Sequence, residues 1–285
     1  MDATDAASRN RLLAALEPDD LRRLAPHLER VSLERGTVLV EPRAELQYVW
    51  WPEDCVVSLI IPTREDGSAE AAAIGREGMV GFIAVLGVPP RALARDLVQV
   101  PGRALRLPLA TLREAFEASP RIRQICLCYV AALIAHILQS VACSALHTVE
   151  ARLARWLLLL QDRVDGAGRL PLTQELLAEM LAVQRTTVTT AARTLQRAGL
   201  IAYRWGSVTV LDRVGLEQAS CECYGVIREH YERLPSCIIS AMSSDRTTTL
   251  SSARETVRLR RGSGASGATR AARAAGPAAP SDLLR

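Results

Sequence analysis

Arg185, Thr186, Thr189 and Thr190 are residues whose types and spacing can do chemistry on a partner. On a helix they would share one face. The chemistry is recognition rather than bond-making. An arginine fork can grip guanine O6 and N7, and a threonine can meet a base edge or the thymine methyl. Gln184, Thr187, Arg193 and Arg204 lie around them and suit contacts to the nucleic-acid backbone. From Ala182 to Gly206 there are arginines at 185, 193, 197 and 204 and no acidic residue. That local excess suits a polyanion.

Positioning these side chains needs a scaffold, and Leu172 to Asp212 supplies one. Thr173 is a helix N-cap after the Pro171 break. Leu176, Leu177 and Met180 recur on one face of the helix it starts. Leu181-Ala182-Val183 is the turn. The second helix opens at Gln184 and turns Val188, Ala191, Ala192 and Leu195 inward. Gly199 stops it. Leu200–Tyr203 and Ser207–Leu211 read as strands around an Arg204-Trp205-Gly206 turn. Helix, turn, helix and hairpin in this order make a winged helix-turn-helix, whose second helix enters the DNA major groove. Ala182 stands where such turns often hold glycine. A left-handed backbone there would cost about 1 kcal/mol.

Composition sets the frame. The chain has 285 residues and a formal net charge of +4. That length allows two domains with separate cores. No uninterrupted run of 18 apolar residues occurs and the N-terminus MDATDAASRN is polar, so a cytoplasmic protein without a membrane span is expected. Every basic residue is arginine. The seven cysteines, at 55, 126, 128, 143, 221, 223 and 237, are irregularly spaced. They form no secreted disulfide framework. Cys126-x-Cys128 and Cys221-x-Cys223 are the only close pairs, and there is no CxxC. They are read as ordinary buried thiols, with no metal ligands and no cofactor expected.

In chain order, residues 8–28 read as short helices, with Leu12, Leu13, Leu16, Leu21, Leu24 and Leu28 as their apolar face. From 29 to 108 short alternating runs are separated by turn residues, which predicts a small antiparallel barrel or jelly roll. Residues 109–118 are helical. Pro120 then opens a long apolar helix to about Cys143. Ile122, Cys126, Tyr129, Leu133, His136, Ser140 and Cys143 recur along it in a near-heptad stripe. So apolar a helix must be covered on more than one side. The stripe is expected to dimerise with its copy in a second subunit while the barrel covers the rest. Residues 149–164 form another helix, with Leu153, Trp156, Leu157 and Leu160 inward. Asp165–Gly168 is a loop. Residues 212–234 read as one closing helix. Residues 235–285 read as a disordered tail.

The fold class predicted is thus α+β: a jelly-roll-like sensor barrel over 8–118, a dimerisation helix over 119–146, a winged helix-turn-helix over 147–234 and a tail over 235–285. This order resembles the Crp/Fnr family of bacterial transcription regulators across about residues 10–234. The likeness is most specific in LTQELLAEMLAVQRTTVTTAARTLQRAGLI, and is also visible in Ile74-Gly75-Arg76-Glu77-Gly78-Met79-Val80-Gly81, which is similar to the turn before the effector-binding cassette of the family's sensor domain. The resemblance implies a homodimer that binds double-stranded DNA, with a barrel controlling the spacing of two reading helices. It also admits RNA polymerase as a partner.

Two departures change what is carried over. The family's reading helix commonly opens Arg-Glu-x-x-x-Arg. Here Arg185 keeps the first arginine, but Thr186 replaces the acid that would accept from cytosine N4. A different target sequence is expected. In cyclic-nucleotide-binding relatives a Gly-Glu-Leu element grips the ribose and an Arg-Ser or Arg-Thr pair the phosphate. Here Gly81 is followed by Phe82-Ile83, and Arg95 by Asp96. A carboxylate beside a phosphate repels it. Gly81, Phe82, Ile83 and Arg95 therefore mark an effector pocket that serves another, unknown ligand or none.

The expected function is sequence-specific regulation of transcription. One alternative is a thiol- or metal-responsive regulator using Cys126, Cys128 and Cys143, or Cys221 and Cys223. Another is a ligand-binding or interaction module whose helix-turn-helix no longer reads DNA. His27, His136 and His147 are read as structural rather than haem ligands. No phosphate loop, nucleophile elbow or HExxH occurs, so no enzyme is expected.

Overall fold

Asn10 anchors the first helix to the barrel. Its side chain accepts from the Leu12 and Leu13 amides and so caps α1 (Arg11–Ala14). Its amide donates to the carbonyls of Pro52 at 3.0 Å and Gly78 at 2.9 Å. One short polar side chain thus starts a helix and ties two barrel loops to it. The computed structural model describes residues 9–63, 67–164 and 169–234. The expected tail over 235–285, Cys237, the 165–168 loop and Asp66 lie outside the described residues.

After α2 (Pro18–Leu24) come seven strands: β1 (Glu29–Leu33), β2 (Val38–Val40), β3 (Tyr48–Pro52), β4 (Val56–Pro62), β5 (Ser68–Ile74), β6 (Arg95–Val100) and β7 (Gly102–Pro108). They form a three-stranded sheet in the order β1-β7-β3 and a four-stranded sheet in the order β2-β6-β4-β5. Each pairing is antiparallel. Val49, Trp51, Val57, Leu59, Val98, Leu105 and Leu107 are buried in a core common to both sheets. The two antiparallel sheets are the predicted jelly-roll-like barrel.

Helix α3 (Leu109–Ala118) leads into α4 (Pro120–Leu146), which runs a turn further than Cys143. Ser119 caps α4 by accepting from the Ile122 amide at 3.2 Å, and Pro120 sits where a missing N–H costs nothing. The glycine-rich turn after β5 receives α4 and α5 (Val149–Arg163). A Cβ on Gly78 would stand 2.6 Å from the Tyr129 hydroxyl oxygen, so only glycine admits that ring. Tyr129 uses the space to donate to the Met79 carbonyl at 3.0 Å. Glu77 and Arg163 pair there at 2.8 Å, both buried. Such a pair is costly to break, because either partner alone is a buried charge.

The near-heptad stripe on α4 is where the structure corrects the sequence reading. Ile122, Cys126, Tyr129, Leu133, His136, Ser140 and Cys143 are all buried within the single chain. His136 Nδ1 meets the Tyr231 hydroxyl at 3.1 Å, and burial holds this imidazole well below its ordinary pKa. The face left open carries Leu127, Ala131, Ile134, Leu138, Val141 and Ala145, at alternating spacings of four and three. Helix α4 has two apolar stripes. The polar members of the first have partners in the chain, and the second is exposed among the described residues. By length and hydropathy alone α4 could cross a membrane. Here the chain itself covers one side of it.

The rest is α6 (Gln174–Leu181), α7 (Arg185–Arg197), β8 (Ile201–Arg204), β9 (Ser207–Val210), α8 (Arg213–Ala219) and α9 (Cys223–Glu232). A single closing helix over 212–234 is thus two helices. The chain turns at Ser220-Cys221, and α9 packs against α4 rather than extending α8. Leu216, Cys223 and Ile227 face inward, while Val226 is half-buried.

Candidate nucleic-acid interface

The local sequence sets the bend between α6 and α7. Thr173 caps α6, accepting from the Leu176 amide at 3.2 Å. Ala182 ends it with φ 50° and ψ 49°, the left-handed turn that glycine would adopt without strain. Val188, Ala191, Ala192 and Leu195 are buried, as their spacing requires. Arg185, Thr186, Thr187, Thr190 and Arg193 are exposed, and Thr189 is half-buried. Gln184 is the N-cap residue of α7, yet its side chain makes no capping hydrogen bond. The first amides of α7 therefore lack a side-chain acceptor, which suits a phosphate oxygen.

Two residues unnoticed in the sequence hold the exposed face of α7 in place. Arg185 pairs with Glu175 at 2.5 Å, and its Nε donates to Gln174 at 3.4 Å. Thr189 donates to the same Gln174 oxygen at 3.1 Å. The first turn of α6 thus presets the start of α7. Their signal in the sequence was position alone, directly after the Thr173 cap. The Arg185–Glu175 pair is exposed, so it is weak and exchangeable for a stronger anion.

The wing is tighter than the predicted three-residue turn. Arg204 belongs to β8 and pairs with Ser207, so Trp205 and Gly206 alone make the turn. Both have positive φ, 51° and 69°. That is the turn geometry whose twist matches a two-stranded hairpin. A tryptophan there is strained, and it is 95% exposed. Tyr203 fixes the wing to the start of α6 by donating to the Leu172 carbonyl at 3.2 Å.

The helix-turn-helix unit is docked on the barrel. Ser68 of β5 donates to Glu179 of α6 at 2.7 Å. Trp156 of α5 donates to Glu70 of β5 at 2.6 Å, and Ser58 donates to the other Glu70 oxygen at 2.6 Å. Burial pushes the Glu70 carboxyl up, against these two hydrogen bonds. Arg152 donates to the Leu181 carbonyl at the end of α6 at 2.5 Å.

The expected effector residues are not gathered at an open site. Ile83 is buried in the core, and Phe82 packs partly buried against it. Gly81 adopts φ 88° before the short helical turn Phe82–Val85. Arg95 is taken up by Glu41 at 3.0 Å. Asp96 does not stand beside Arg95 as a repelling charge. Alternation along β6 turns it into the barrel, where burial pushes its carboxyl up to about 8. At neutral pH it is therefore mostly protonated.

The cysteines hold the largest surprise. No metal ligands were expected, yet Cys143, His147, Cys221 and Cys223 present ligand atoms all within 4.8 Å of one another. Tertiary packing brings them together from the end of α4 and the α8–α9 turn, a proximity that no CxxC spacing announces. Cys126 lies apart, buried in the main core, where burial pushes its thiol up to about 12.

By comparison with known proteins, residues 151–219 match the Crp-like helix-turn-helix domain. No curated protein matches the chain. Among solved structures, FixK2 from Bradyrhizobium japonicum is similar at a TM-score of 0.59 and 15% identity, covering 68% of this chain and 98% of its own. CLP from Xanthomonas campestris, a c-di-GMP-responsive global regulator, matches at 0.56 and 17%, over 68% and 99%. A CRP-family transcriptional regulator from Thermus thermophilus matches at 0.54 and 19%, over 67% and 96%. The chain carries a Crp-like helix-turn-helix domain on the Crp/Fnr regulator fold.

Proposed function

We propose, from that domain and that fold, that the chain is a dimeric, sequence-specific DNA-binding transcription regulator. One observation carries the reading. Helix α7 buries one apolar face completely and turns an acid-free face of arginine and threonine to solvent. In the major groove, Arg185, Thr186, Thr189 and Thr190 read base edges. Gln184, Thr187, Arg193 and Arg204 hold the sugar–phosphate backbone, with the amides at the start of α7. Contact with DNA replaces the exposed Arg185–Glu175 pair, so part of the arginine's reach is preset before binding.

The homodimer forms through the open stripe of α4. Leu127, Ile134, Leu138 and Val141 are 41%, 47%, 64% and 66% exposed. Their spacing is that of a two-stranded helical seam. Two copies of α7 then stand in one symmetric assembly, as paired half-sites require. The Ser68–Glu179 and Glu70–Trp156 contacts are the route by which the barrel biases the reading unit. The effector remains a ligand of the barrel, and RNA polymerase is the further partner that this function implies.

The test is binding of the purified chain to its own upstream region at fixed salt, beside random DNA. Arg185→Ala should cost about 1–3 kcal/mol and relax selection at one base pair. Equal losses on every DNA sequence would make Arg185 a phosphate contact. Saturable binding absent from both DNAs would overturn the reading.

A further inference from the structure

Cys143 and His147 lie four residues apart at the last turn of α4, and the His147 amide donates to the Cys143 carbonyl at 3.1 Å. That spacing stacks the two side chains on one face. Cys221 and Cys223 arrive on the turn between α8 and α9, with Cys223 as the first residue of α9. The three sulfurs are buried and form a small core of their own with Ala151. Cys143 Sγ stands 3.5 Å from Cys221 Sγ, and Cys223 Sγ 3.6 Å from His147 Nδ1. A tetrahedral zinc ion with ligands at about 2.3 and 2.0 Å would hold sulfur pairs about 3.8 Å apart and a sulfur–nitrogen pair about 3.5 Å apart. Those two pairs are within a few tenths of an ångström of that spacing, and all four ligand atoms lie within 4.8 Å of one another.

Its surroundings suit a thiolate set. Gln139 donates to Cys223 Sγ at 3.0 Å. The buried Arg152 and Arg155 of α5 both interact electrostatically with Cys143 and Cys221. On the far side of the imidazole, His147 Nε2 meets the Glu222 carboxylate at 3.2 Å. A histidine that binds a metal through one nitrogen and a carboxylate through the other is the usual outer support of a zinc site.

We infer that Cys143, His147, Cys221 and Cys223 bind one zinc-type divalent cation per chain, in a tetrahedral three-sulfur, one-nitrogen site. The site clips the α8–α9 turn to the end of α4, where the chain passes into the helix-turn-helix domain. Soft thiolates with one imidazole select zinc over magnesium or calcium. Four protein ligands close the coordination sphere, so the site holds structure or senses metal rather than catalyses. The inference stands whether or not α7 reads DNA.

The experiment titrates cobalt(II), then zinc(II), into the reduced, metal-stripped full-length chain. The expected result is one equivalent per chain, with the intense visible bands of tetrahedral cobalt and a thiolate-to-cobalt charge-transfer band. Zinc should displace the cobalt and abolish both. Cys223→Ser should weaken binding and reduce the charge-transfer band. Glu222→Ala should weaken zinc about tenfold, by removing support from His147 while leaving the four ligands. The wild-type titration needs no variant to fold. A weak octahedral cobalt spectrum, or no uptake with the thiols titrating as free, would overturn the inference. So would an unchanged cobalt spectrum in Cys143→Ala/Cys221→Ala, or a Cys143–Cys221 disulfide whose reduction yields no metal binding.

Discussion

Leu138→Ala should weaken the dimer while leaving the single chain's fold intact. Leu138 is 64% exposed in the chain alone. Burying a whole leucine side chain contributes about 1.5–3 kcal/mol, so the share a partner can still cover is about 1–2 kcal/mol. A twofold interface contains that residue twice, which makes the loss about 2–4 kcal/mol per dimer. Since each 1.4 kcal/mol is tenfold, the dimer dissociation constant should rise about 30- to 700-fold. The lower end is expected, because alanine keeps Cβ and so part of the buried area. Sedimentation equilibrium over a concentration series measures the constant. Thermal unfolding at a dilution where both proteins are monomeric is the control, and the two melting curves should coincide. Leu133→Ala supplies the contrast. Leu133 is fully buried in the chain, so its truncation should lower monomer stability by about 2–5 kcal/mol. If Leu138→Ala left the dimer constant unchanged, or lowered monomer stability as Leu133→Ala does, the assignment of the two α4 stripes would be wrong.

Trp205→Gly separates stability from binding at the wing tip. Removing a non-glycine residue from φ 51° should stabilise the chain by up to about 1 kcal/mol, while loss of an exposed aromatic should weaken DNA binding; a melt and a binding curve on the same sample report both, and unchanged DNA affinity would remove the wing tip from the interface. Asp96 sets a pH dependence. Its folded pKa is raised to about 8 by burial, so the folded chain holds a proton that the unfolded chain releases, and this group's contribution to stability falls as pH rises from the ordinary aspartate range to about 8. Asp96→Asn should flatten that slope in denaturant unfolding measured across the window; parallel slopes for the two proteins would show that the carboxyl ionises freely in the barrel.

The arrangement of contacts gives the barrel a mechanical hold on the reading unit. Ser68 and Glu70 lie on one strand, β5, and reach α6 and α5 respectively. A ligand that shifted β5 would move two points of attachment at once. The same strand leads into the turn that receives Tyr129 and Arg163. Long helix, barrel and helix-turn-helix thus meet around residues 68–79.

What the sequence determined by itself was local. Apolar spacing of 3.6 gave α5, α6 and α7, and placed Val188, Ala191, Ala192 and Leu195 inside with Arg185 and Thr186 outside. Alternating short runs between turn residues gave the antiparallel strands of the barrel over 29–108. Thr173, Pro120 and Gly199 marked helix ends because capping depends on neighbours a few positions away. Even the left-handed Ala182 could be foreseen from its place in the turn. Tertiary structure decided what periodicity leaves ambiguous. An apolar helix such as α4 has two equivalent stripes, and only the elements packed against it determine which one stays open. Asp96 looked like a charge beside Arg95, but strand alternation sends neighbouring side chains to opposite sides, and burial neutralises the inner one. Gln174 and Glu175 reach the reading helix only because the turn folds α7 back across their end of α6. Cys143, His147, Cys221 and Cys223 span nearly eighty residues of chain, and their ligand atoms meet only because α9 returns to pack on α4. Sequence spacing records proximity along a helix or strand, whereas a site assembled from distant segments exists only once the core has closed.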